Sequence, residues 1–491
     1  MTDDYDRSKG RANILLDAAS GPRQWSEIVR RAFLEFLKIP SLVIVSFLLL
    51  ALIMYMLDAT RIAYAGATAT ATWGGLFSDA QATRDFLGVI AASIITVTSI
   101  TLSLLLIAVQ QGAASLTSLV FDQFLRRRSN QLYFGFFIGL ALYALIVLAS
   151  INPSHQPIYG VAVAGVMTVA ALCMLILLIY TTINQMRPVV IIRSIHDHTL
   201  LARRRQFDLL KRTRRAPQHS ADVGVRVMAN CSGFMTQIDV TALADAVADM
   251  DVEIVILGSV GSFVAYGDPI AELRMAAAHD VSSLEVLVRK AIAVEEQRDL
   301  DTDPAFGVEQ LVTIGWTSIS TAKSNPGPGL LAIQNLRDLL ARWLQSDAAF
   351  GADAHDEKPE VAPVVYVDNL PGEIMKGLES LTAVASESMQ HQSAAEIYRV
   401  FASLFQRLPG PLRERAVDVL MRSLSGLGDQ MLTSDLDVAL SELIEVLDAA
   451  NQSQCADAMR AARDQLRLSV GRLHSRATRT PVDPQRHAPN L

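Results

Sequence analysis

A row of hydroxyl and amide side chains stands out in one long apolar stretch of the chain. The stretch Phe86–Val109 reads FLGVIAASIITVTSITLSLLLIAV and holds no charged side chain. At about 100° per residue, four polar positions share one helical stripe of roughly 60°: Thr96, Ser99, Ser103 and Gln110. Such groups can line a hydrated path, or they can bond to neighbouring helices and to carbonyls of their own helix. Both interpretations stay open, and packing is the commoner role.

Recognisable catalytic and metal-binding motifs are absent from the sequence. It contains no GxxxxGK, GxGxxG, HExxH or GxSxG. Cys173, Cys231 and Cys455 lie far apart, which argues against a cysteine zinc site and against a disulfide framework. His196 and His198 would face about 160° apart on a helix. We therefore expect no catalytic residue, no cofactor and no metal ion, and an enzyme is the least favoured function class.

Four apolar runs must position the polar stripe. They are Pro40–Leu57, Phe86–Val109, Leu132–Ile151 and Ile158–Ile183. None contains a charged residue or a histidine, and each is near or above the roughly 20 residues that cross a hydrocarbon core of about 30 Å. The 491-residue chain is 51% hydrophobic and only 19% charged, against about 25% charged for soluble proteins. The expected fold is four transmembrane helices followed by a large α+β region.

Basic residues predict the orientation of the spans. Seven precede the first span, two and three occupy the first and second loops, none lies in the third loop, and nine follow the last span up to Arg215. This alternation predicts an inner-membrane protein with both termini in the cytoplasm. The lipid bilayer is therefore the first expected partner. The net charge of −7 argues against nucleic acid as a partner.

Two arginine triplets are candidate contacts for anionic lipid. They are Arg126, Arg127, Arg128 and Arg203, Arg204, Arg205. The second triplet lies in IIRSIHDHTLLARRRQFDLLKRTRR, after Pro188, which should kink or end the last span. This segment is either an amphipathic helix near headgroups or a set of arginines that only enforces topology. From Ala216 to Leu491 there are 22 basic and 38 acidic residues, so that region should be held off an anionic surface.

Patterning predicts further divisions of the chain. Residues 223–274 alternate as strands do, with glycine turns, whereas the periodicity from Val281 onward is helical, apart from a loose loop at Ser346–Ala362 and a short strand in VVYVDNL. The predicted parts are a cytoplasmic segment 1–39, a transmembrane domain 40–183, a basic juxtamembrane helix 184–215, a small β-rich domain 216–280, a helical cytoplasmic domain 281–475 and a disordered tail 476–491.

Three segments in order resemble a known family. They are DFLGVIAASIITVTSITLSLLLIAVQQGAASLTSLVFDQFLRRRSNQLYFGFFIG, then SGFMTQID with GSFVAYGDPIAEL, then DPAFGVEQLVTIGWTSIS. Together they are similar to the bacterial predicted membrane proteins catalogued as domain-of-unknown-function family 2254. The resemblance implies a four-span inner-membrane protein with a cytoplasmic domain, and it implies no reaction. A polar loop of the family, of the type SPAINDP, corresponds here to the stretch that includes Ser324, Asn325 and Pro326.

The β-rich segment also resembles the flattened sandwich of biotinyl and lipoyl carrier domains. Those carriers hold their prosthetic group on a lysine at an exposed turn. No lysine lies between Lys211 and Lys290, so the resemblance implies a structural or gating sandwich without a carrier function.

Two function classes follow from these observations. The first is a homo-oligomeric channel or permeation pathway lined by the second span, with the cytoplasmic region as its regulatory domain. Charge-free spans suit a pore that selects through hydroxyls and amides. The alternative is a membrane-anchored scaffold or sensor that recruits a cytoplasmic protein partner. Because four spans enclose little space, the channel requires a homo-oligomer.

Overall fold

The structure divides into two compact units between Arg187 and Pro188. It is a computed structural model that describes residues 37–63, 79–115, 127–152, 157–219, 224–248, 250–275, 282–320, 325–352, 361–428 and 430–470. We call the two parts the amino-terminal unit and the carboxy-terminal unit. Nearly all of the predicted amino-terminal segment and the whole predicted tail lie outside the described residues.

The amino-terminal unit is built from long apolar helices. They are α1 (Lys38–Ala63), α2 (Ala80–Ser115), α3 (Arg128–Ala149) and α4 (Ile158–Gln185). Each is long and apolar enough to cross a membrane, which confirms the four predicted membrane helices. In α3, 56% of the apolar window is buried within the structure, against 17–22% in the other three. The third helix is therefore the centre of the unit, and the other three expose most of their apolar surface.

Two glycines bring α1 and α3 close together. A Cβ atom on Gly135 would lie 2.9 Å from the Cα of Pro40, and one on Gly139 would lie 2.5 Å from Cδ2 of Phe47. The spacing of four residues places both glycines on one face of α3. Small residues at this spacing let the backbones of membrane helices approach closely. Van der Waals contact then stabilises the helix pair, because the hydrophobic effect does not drive association between helices inside a bilayer.

The carboxy-terminal unit begins with two helices, α5 (Pro188–Arg205) and α6 (Phe207–Arg212). The last span ends at Gln185 and Pro188 opens the next helix, as predicted from the proline. The apolar face of α5 is buried within this unit, with Ile191, Ile192 and Ile195 at most 3% exposed. This helix packs against two later helices of the unit, α9 (Pro304–Ile319) and α10 (Pro326–Ala352).

Two small sheets enclose a common apolar core. The strands are β1 (Gly224–Met228), β2 (Gly233–Ile238), β3 (Val252–Ile256), β4 (Phe263–Val264), β5 (Pro269–Met275), β6 (Ile292–Glu295) and β7 (Val364–Val365). One sheet has the order β1-β5-β3-β7 and the other β4-β2-β6; of these strand pairings, β3–β7 is parallel and the others are antiparallel. Met235, Ile254 and Leu273 are completely buried in this core. Helix α7 (Val240–Ala246) follows β2, and the Asp239 carboxylate accepts its capping bond from the Ala242 N–H.

Of the remaining described helices, the first packs against α7, β1 and β6, and the others extend the bundle that α9 and α10 begin. These helices are α8 (Ser282–Ala291), α11 (Leu370–Glu387), α12 (His391–Leu404), α13 (Gly410–Leu427), α14 (Ser434–Ala449) and α15 (Ser453–Ser469). Helix α11 packs on α9, α12 packs on α10, and α13 to α15 continue from these. Asp303 caps α9 by accepting from the Phe306 N–H. The predicted helical character of this region is thus observed for most of its length.

Three predictions about local structure were wrong. The stretch AIAVEE, predicted as the end of a helix, contains strand β6, because Ile292 and Val294 pair with β2 in the second sheet. The first residues of the predicted loop Ser346–Ala362 continue α10 to Ala352, as expected for an alanine-rich segment that extends an existing helix. The basic segment is two helices, and the apolar face of the first lies in a protein core.

Candidate functional site

The polar stripe lies on a face of α2 that the described parts of the amino-terminal unit leave uncovered. Thr96, Ser99, Ser103 and Gln110 are all exposed. The opposite face of α2 is buried in the apolar core of the unit, with Ile94 at 5% and Leu105 at 6% exposed. The structure therefore brings the four predicted residues onto one surface, which the described helices of the amino-terminal unit do not cover.

Two stripe hydroxyls bond to carbonyls of their own helix. The Thr96 hydroxyl donates to the Ala92 carbonyl at 2.8 Å, and the Ser103 hydroxyl donates to the Ser99 carbonyl at 3.0 Å. Thr98, beside the stripe, donates to the Ile94 carbonyl at 2.6 Å. Such bonds satisfy the hydroxyl hydrogen and leave the oxygen lone pairs free to accept further bonds.

A buried carboxylate near the end of α1 was missed by the sequence analysis. Asp58 is 2% exposed, and its two oxygens accept from the backbone N–H groups of Tyr159 and Gly160, both at 3.0 Å. These groups belong to the first turn of α4, so Asp58 caps that helix and meets the positive end of its dipole. Nearby, the Tyr143 hydroxyl donates to the Gly160 carbonyl at 2.9 Å. One sequence feature could have indicated this residue: Asp58 directly follows the charge-free apolar run that ends at Leu57.

The first arginine triplet lies at the start of α3. Arg126 is outside the described residues, Arg127 immediately precedes the helix and is half-buried, and Arg128 is its first residue and exposed. A positive charge is unfavourable at the amino end of a helix dipole. Helix stability therefore does not account for these arginines, which is consistent with a role towards lipid or in topology.

The second triplet divides into one buried and two exposed residues. Arg203 is 1% exposed, and its Nη2 donates to Asp368 Oδ2 at 2.6 Å while its guanidinium lies 5.6 Å from the ring centre of Trp343. The structure thus gives Arg203 a partner inside the carboxy-terminal unit in place of the expected lipid headgroup. Arg204 and Arg205 are exposed, and Arg205 donates to the Asp301 carbonyl at 2.8 Å.

His196 and His198 each contact a carboxylate of the same unit. His196 Nε2 lies 2.8 Å from Asp338 Oδ2, and His198 Nδ1 lies 2.7 Å from Asp301 Oδ1. Burial opposes ionisation of Asp338, but hydrogen bonds from Arg342 and His196 hold its pKa below the ordinary value. Among the described residues, no group of three or more His, Cys, Asp or Glu side chains could hold a metal ion.

One family model matches residues 35–396 of the chain, and its description is "Predicted membrane protein (DUF2254)". The chain belongs to this family. The match confirms the resemblance inferred from the sequence. It includes all four apolar helices, both sheets and helices α5 to α11, and it ends within α12. No curated protein and no solved structure is significantly similar to the chain.

The polar loop expected from the DUF2254 family lies at the start of α10. Ser324 is outside the described residues, Asn325 directly precedes the helix, and Pro326 is its first residue. Proline is favoured at this position because the first helical N–H has no partner within the helix. The side chain of Asn325 is exposed. The residues described in this loop thus begin a helix.

A second buried carboxylate organises the four-stranded sheet of this DUF2254 protein. Glu253 on β3 is fully buried, and it accepts from Arg214 Nη1 at 2.9 Å and from the backbone N–H groups of Gln218 and His219 at 2.9 and 3.1 Å. Burial raises the pKa of Glu253, but these hydrogen bonds and the Arg214 charge outweigh burial and leave it below the ordinary value. The carboxylate ties the chain after α6 to the sheet.

Proposed function

We propose that this membrane protein forms a homo-oligomeric permeation pathway lined by the polar stripe of α2. The observation that supports it is the exposure of Thr96, Ser99 and Ser103 on a face opposite the buried residues of the same helix. Polar side chains of a membrane helix favour protein or water over lipid. A neighbouring copy of the chain, with water between the copies, would meet that preference.

The low burial of three of the four apolar helices also supports assembly. Helices α1, α2 and α4 bury at most 22% of their apolar windows within the chain. Since the central α3 fills the middle of the unit, a continuous path has to lie between copies rather than within one. Hydroxyls and carboxamides along such a path would select solutes by hydrogen bonding and size, without a fixed charge.

The carboxy-terminal unit is, in this proposal, a cytoplasmic regulatory domain. The basic-residue counts of the loops support that side of an inner membrane. The two sheets suit a structural sandwich similar to biotinyl and lipoyl domains, without an attachment lysine. Arg127, Arg128, Arg204 and Arg205 are the described arginines that remain candidate contacts for anionic headgroups.

Single cysteines on α2 test the proposed pathway. We expect cysteines at Thr96, Ser99 and Ser103 to react with small water-soluble thiol reagents in intact membranes, because they would face water. Matched cysteines at Ile94 and Leu105 are the control, since these positions are buried within the unit. The background is the chain with Cys173, Cys231 and Cys455 replaced by Ser. Protection of all three stripe positions in an assembled preparation contradicts the pathway.

A flux measurement gives a second readout of the same site. Replacing Ser99 and Ser103 together by Val removes two hydroxyls and leaves an apolar lining, which favours dewetting of a narrow pore. We expect flux of small ions in liposomes to fall by about tenfold or more, which corresponds to a barrier of about 1.4 kcal/mol. If the stripe only packs helices, the double variant should change stability by roughly 0.6 kcal/mol per lost bond and leave flux unchanged.

The own-helix hydrogen bonds of the stripe favour a second candidate, a membrane-anchored scaffold or sensor. Thr96, Thr98 and Ser103 each donate to a carbonyl of α2. These bonds lower the free-energy cost of exposing the hydroxyls to lipid. The scaffold requires no oligomer and recruits a cytoplasmic protein partner through the carboxy-terminal unit. Native mass in mild detergent separates the two candidates, because a monomer removes the pathway and favours the scaffold.

A further inference from the structure

A cavity opens in the carboxy-terminal unit between the β3–β4 turn and the helices α9 and α11. Its volume is about 410 Å³, within the range of roughly 300–1,000 Å³ that is usual for small-molecule sites. Val260 and Val308 are buried at its inner side, whereas Glu309 and Lys376 are exposed at its opening. The cavity therefore combines an apolar interior with charges of both signs at its rim.

One cation that lines the cavity, Arg298, is held by ion pairs within the protein. Arg298 Nε donates to Asp303 Oδ2 at 2.6 Å, and its Nη1 donates to Glu309. Its guanidinium also lies 5.0 and 5.7 Å from the ring centres of Phe306 and Phe234. Two carboxylates thus neutralise Arg298, so it does not attract an anion strongly, and it acts as a fixed wall of the cavity.

The second cation, Lys376, has only an exposed ion pair. Lys376 Nζ lies 2.6 Å from Glu373 Oε1, on the same helix, and the two side chains are 58% and 39% exposed. Exposed ion pairs of this kind contribute little because water screens them. The carboxylate of a ligand can therefore replace Glu373 as the partner of Lys376, and the ammonium of the same ligand can then bind the Glu373 carboxylate.

We propose that this cavity binds a free amino acid. The carboxylate of the ligand pairs with Lys376, its ammonium pairs with Glu373 or Glu309, and its side chain enters the apolar interior at Val260 and Val308. The hydroxyls of Ser262, Thr313 and Ser380 line the same cavity and can complete the hydrogen bonds. A polyanion is disfavoured, because it would meet two rim carboxylates and a neutralised arginine.

The position of α9 connects this site to the helix that follows the last span. Ala305, Val308 and Val312 face the cavity. Gly307, on the opposite side of α9, faces Thr199 of α5, since a Cβ on Gly307 would overlap the Thr199 hydroxyl. A ligand that shifts α9 would therefore also displace α5 through the contact between Gly307 and Thr199. Binding of the amino acid does not depend on the proposed pathway, so either can fail while the other stands.

Thermal melting of the full chain in detergent micelles, with each of the twenty L-amino acids as the probe, tests the site. We expect at least one amino acid to raise the melting temperature and to give saturable binding in calorimetry. Its N-acetyl derivative lacks the ammonium and its methyl ester lacks the carboxylate, so both should bind at least tenfold more weakly. Absence of binding by all twenty, or equal binding of both derivatives, overturns the proposal.

Variants locate the binding in the cavity. Lys376→Gln and Glu373→Gln should each weaken the amino acid at least tenfold, whereas Lys290→Gln on α8 and Glu387→Gln at the end of α11 lie outside the lining and should leave binding unchanged. Ser380→Leu is a second route, since it fills an exposed rim position and should block entry without removing a charge. Binding that survives Lys376→Gln and Ser380→Leu in a folded protein overturns the assignment.

Discussion

Asp58 shows how one side chain can hold two membrane helices together. Its carboxylate accepts two backbone hydrogen bonds at the start of α4, so Asp58→Ala should leave two N–H groups unpaired in a largely apolar setting. Loss of a helix cap costs roughly 0.5–2 kcal/mol, and we expect the purified protein to melt at a lower temperature. Asp58→Asn keeps one acceptor oxygen and should recover part of the loss.

Asp85 provides the matched control for this prediction. It is an exposed acid near the start of α2, and the partner of its carboxylate among the described residues is Gln81 on the same helix. Asp85→Ala should therefore change the melting temperature much less than Asp58→Ala. Equal effects of the two alanine variants would contradict the capping role.

Glu253 predicts a pH dependence of stability in the carboxy-terminal unit. Because its pKa is lower in the folded protein than the ordinary value of 4.5, the folded state gains stability above that value and loses it as pH falls through the folded pKa. Glu253→Gln leaves Arg214 without its partner and should cost about 3 kcal/mol at neutral pH, the low end for breaking a buried pair. Thermal melting at several pH values measures the difference.

The sign of the pH effect is the critical result. The gap between the wild-type and Glu253→Gln melting temperatures should be largest at neutral pH and should shrink as the pH is taken below about 4.5. Glu285→Gln on α8 is a control, since its pair with Arg289 at 4.0 Å is partly exposed and contributes roughly 0–1 kcal/mol. A gap that grows towards acid pH is inconsistent with a stabilising carboxylate at position 253.

At the level of elements, the contact between α5 and α9 sets a tight packing requirement. Gly307→Ala would place a Cβ on the Thr199 hydroxyl, and overpacking of this kind costs roughly 1–3 kcal/mol. We expect a lower melting temperature for this variant, and Thr199→Ala combined with it should restore part of the stability, because it removes the clashing hydroxyl. Gly410→Ala is the control, because a Cβ there meets no atom within 4 Å.

The sequence predicted the long membrane helices better than the smaller elements. Runs of about 20 residues without charge have few alternatives to a membrane span, and the helices α1 to α4 contain the four predicted runs, apart from the last two residues of the third. Strand β6 was missed because AIAVEE has no local feature that distinguishes a strand from the end of a helix. Its pairing with β2 in the folded chain makes it a strand. Strand β7, by contrast, lies where the sequence predicted a short strand in VVYVDNL, and the fold adds its pairing with the distant β3.

Prediction at the level of residues was limited by tertiary contacts. The stripe on α2 could be derived from helical spacing alone, and the structure places its members on one surface. Arg203 could not be assigned in the same way, because an arginine triplet on an amphipathic helix suggests exposure and only the fold supplies Asp368. The cavity residues Arg298, Glu309 and Lys376 form no sequence motif, and only the folded chain brings Lys376 to the other two.

For the whole molecule, the orientation in the membrane is the prediction with the widest consequences. Fusions of a reporter after Asn152 should report the periplasm, and fusions after Ser129 and Thr213 should report the cytoplasm. The expectation follows from the loop with no basic residue between the third and fourth spans and the nine basic residues after the fourth. A periplasmic signal at Thr213 would reverse the orientation and move the carboxy-terminal unit to the other side.

The short connection between α4 and α5 has a consequence for biosynthesis. Only Met186 and Arg187 separate the last span from α5, whose isoleucine face belongs to the core of the carboxy-terminal unit. The ribosome makes α5 well before α9 and α10, its packing partners. While the two sheets are being synthesised, this apolar face therefore lacks its packing partners, and the core around it can close only after α9 and α10 have been made.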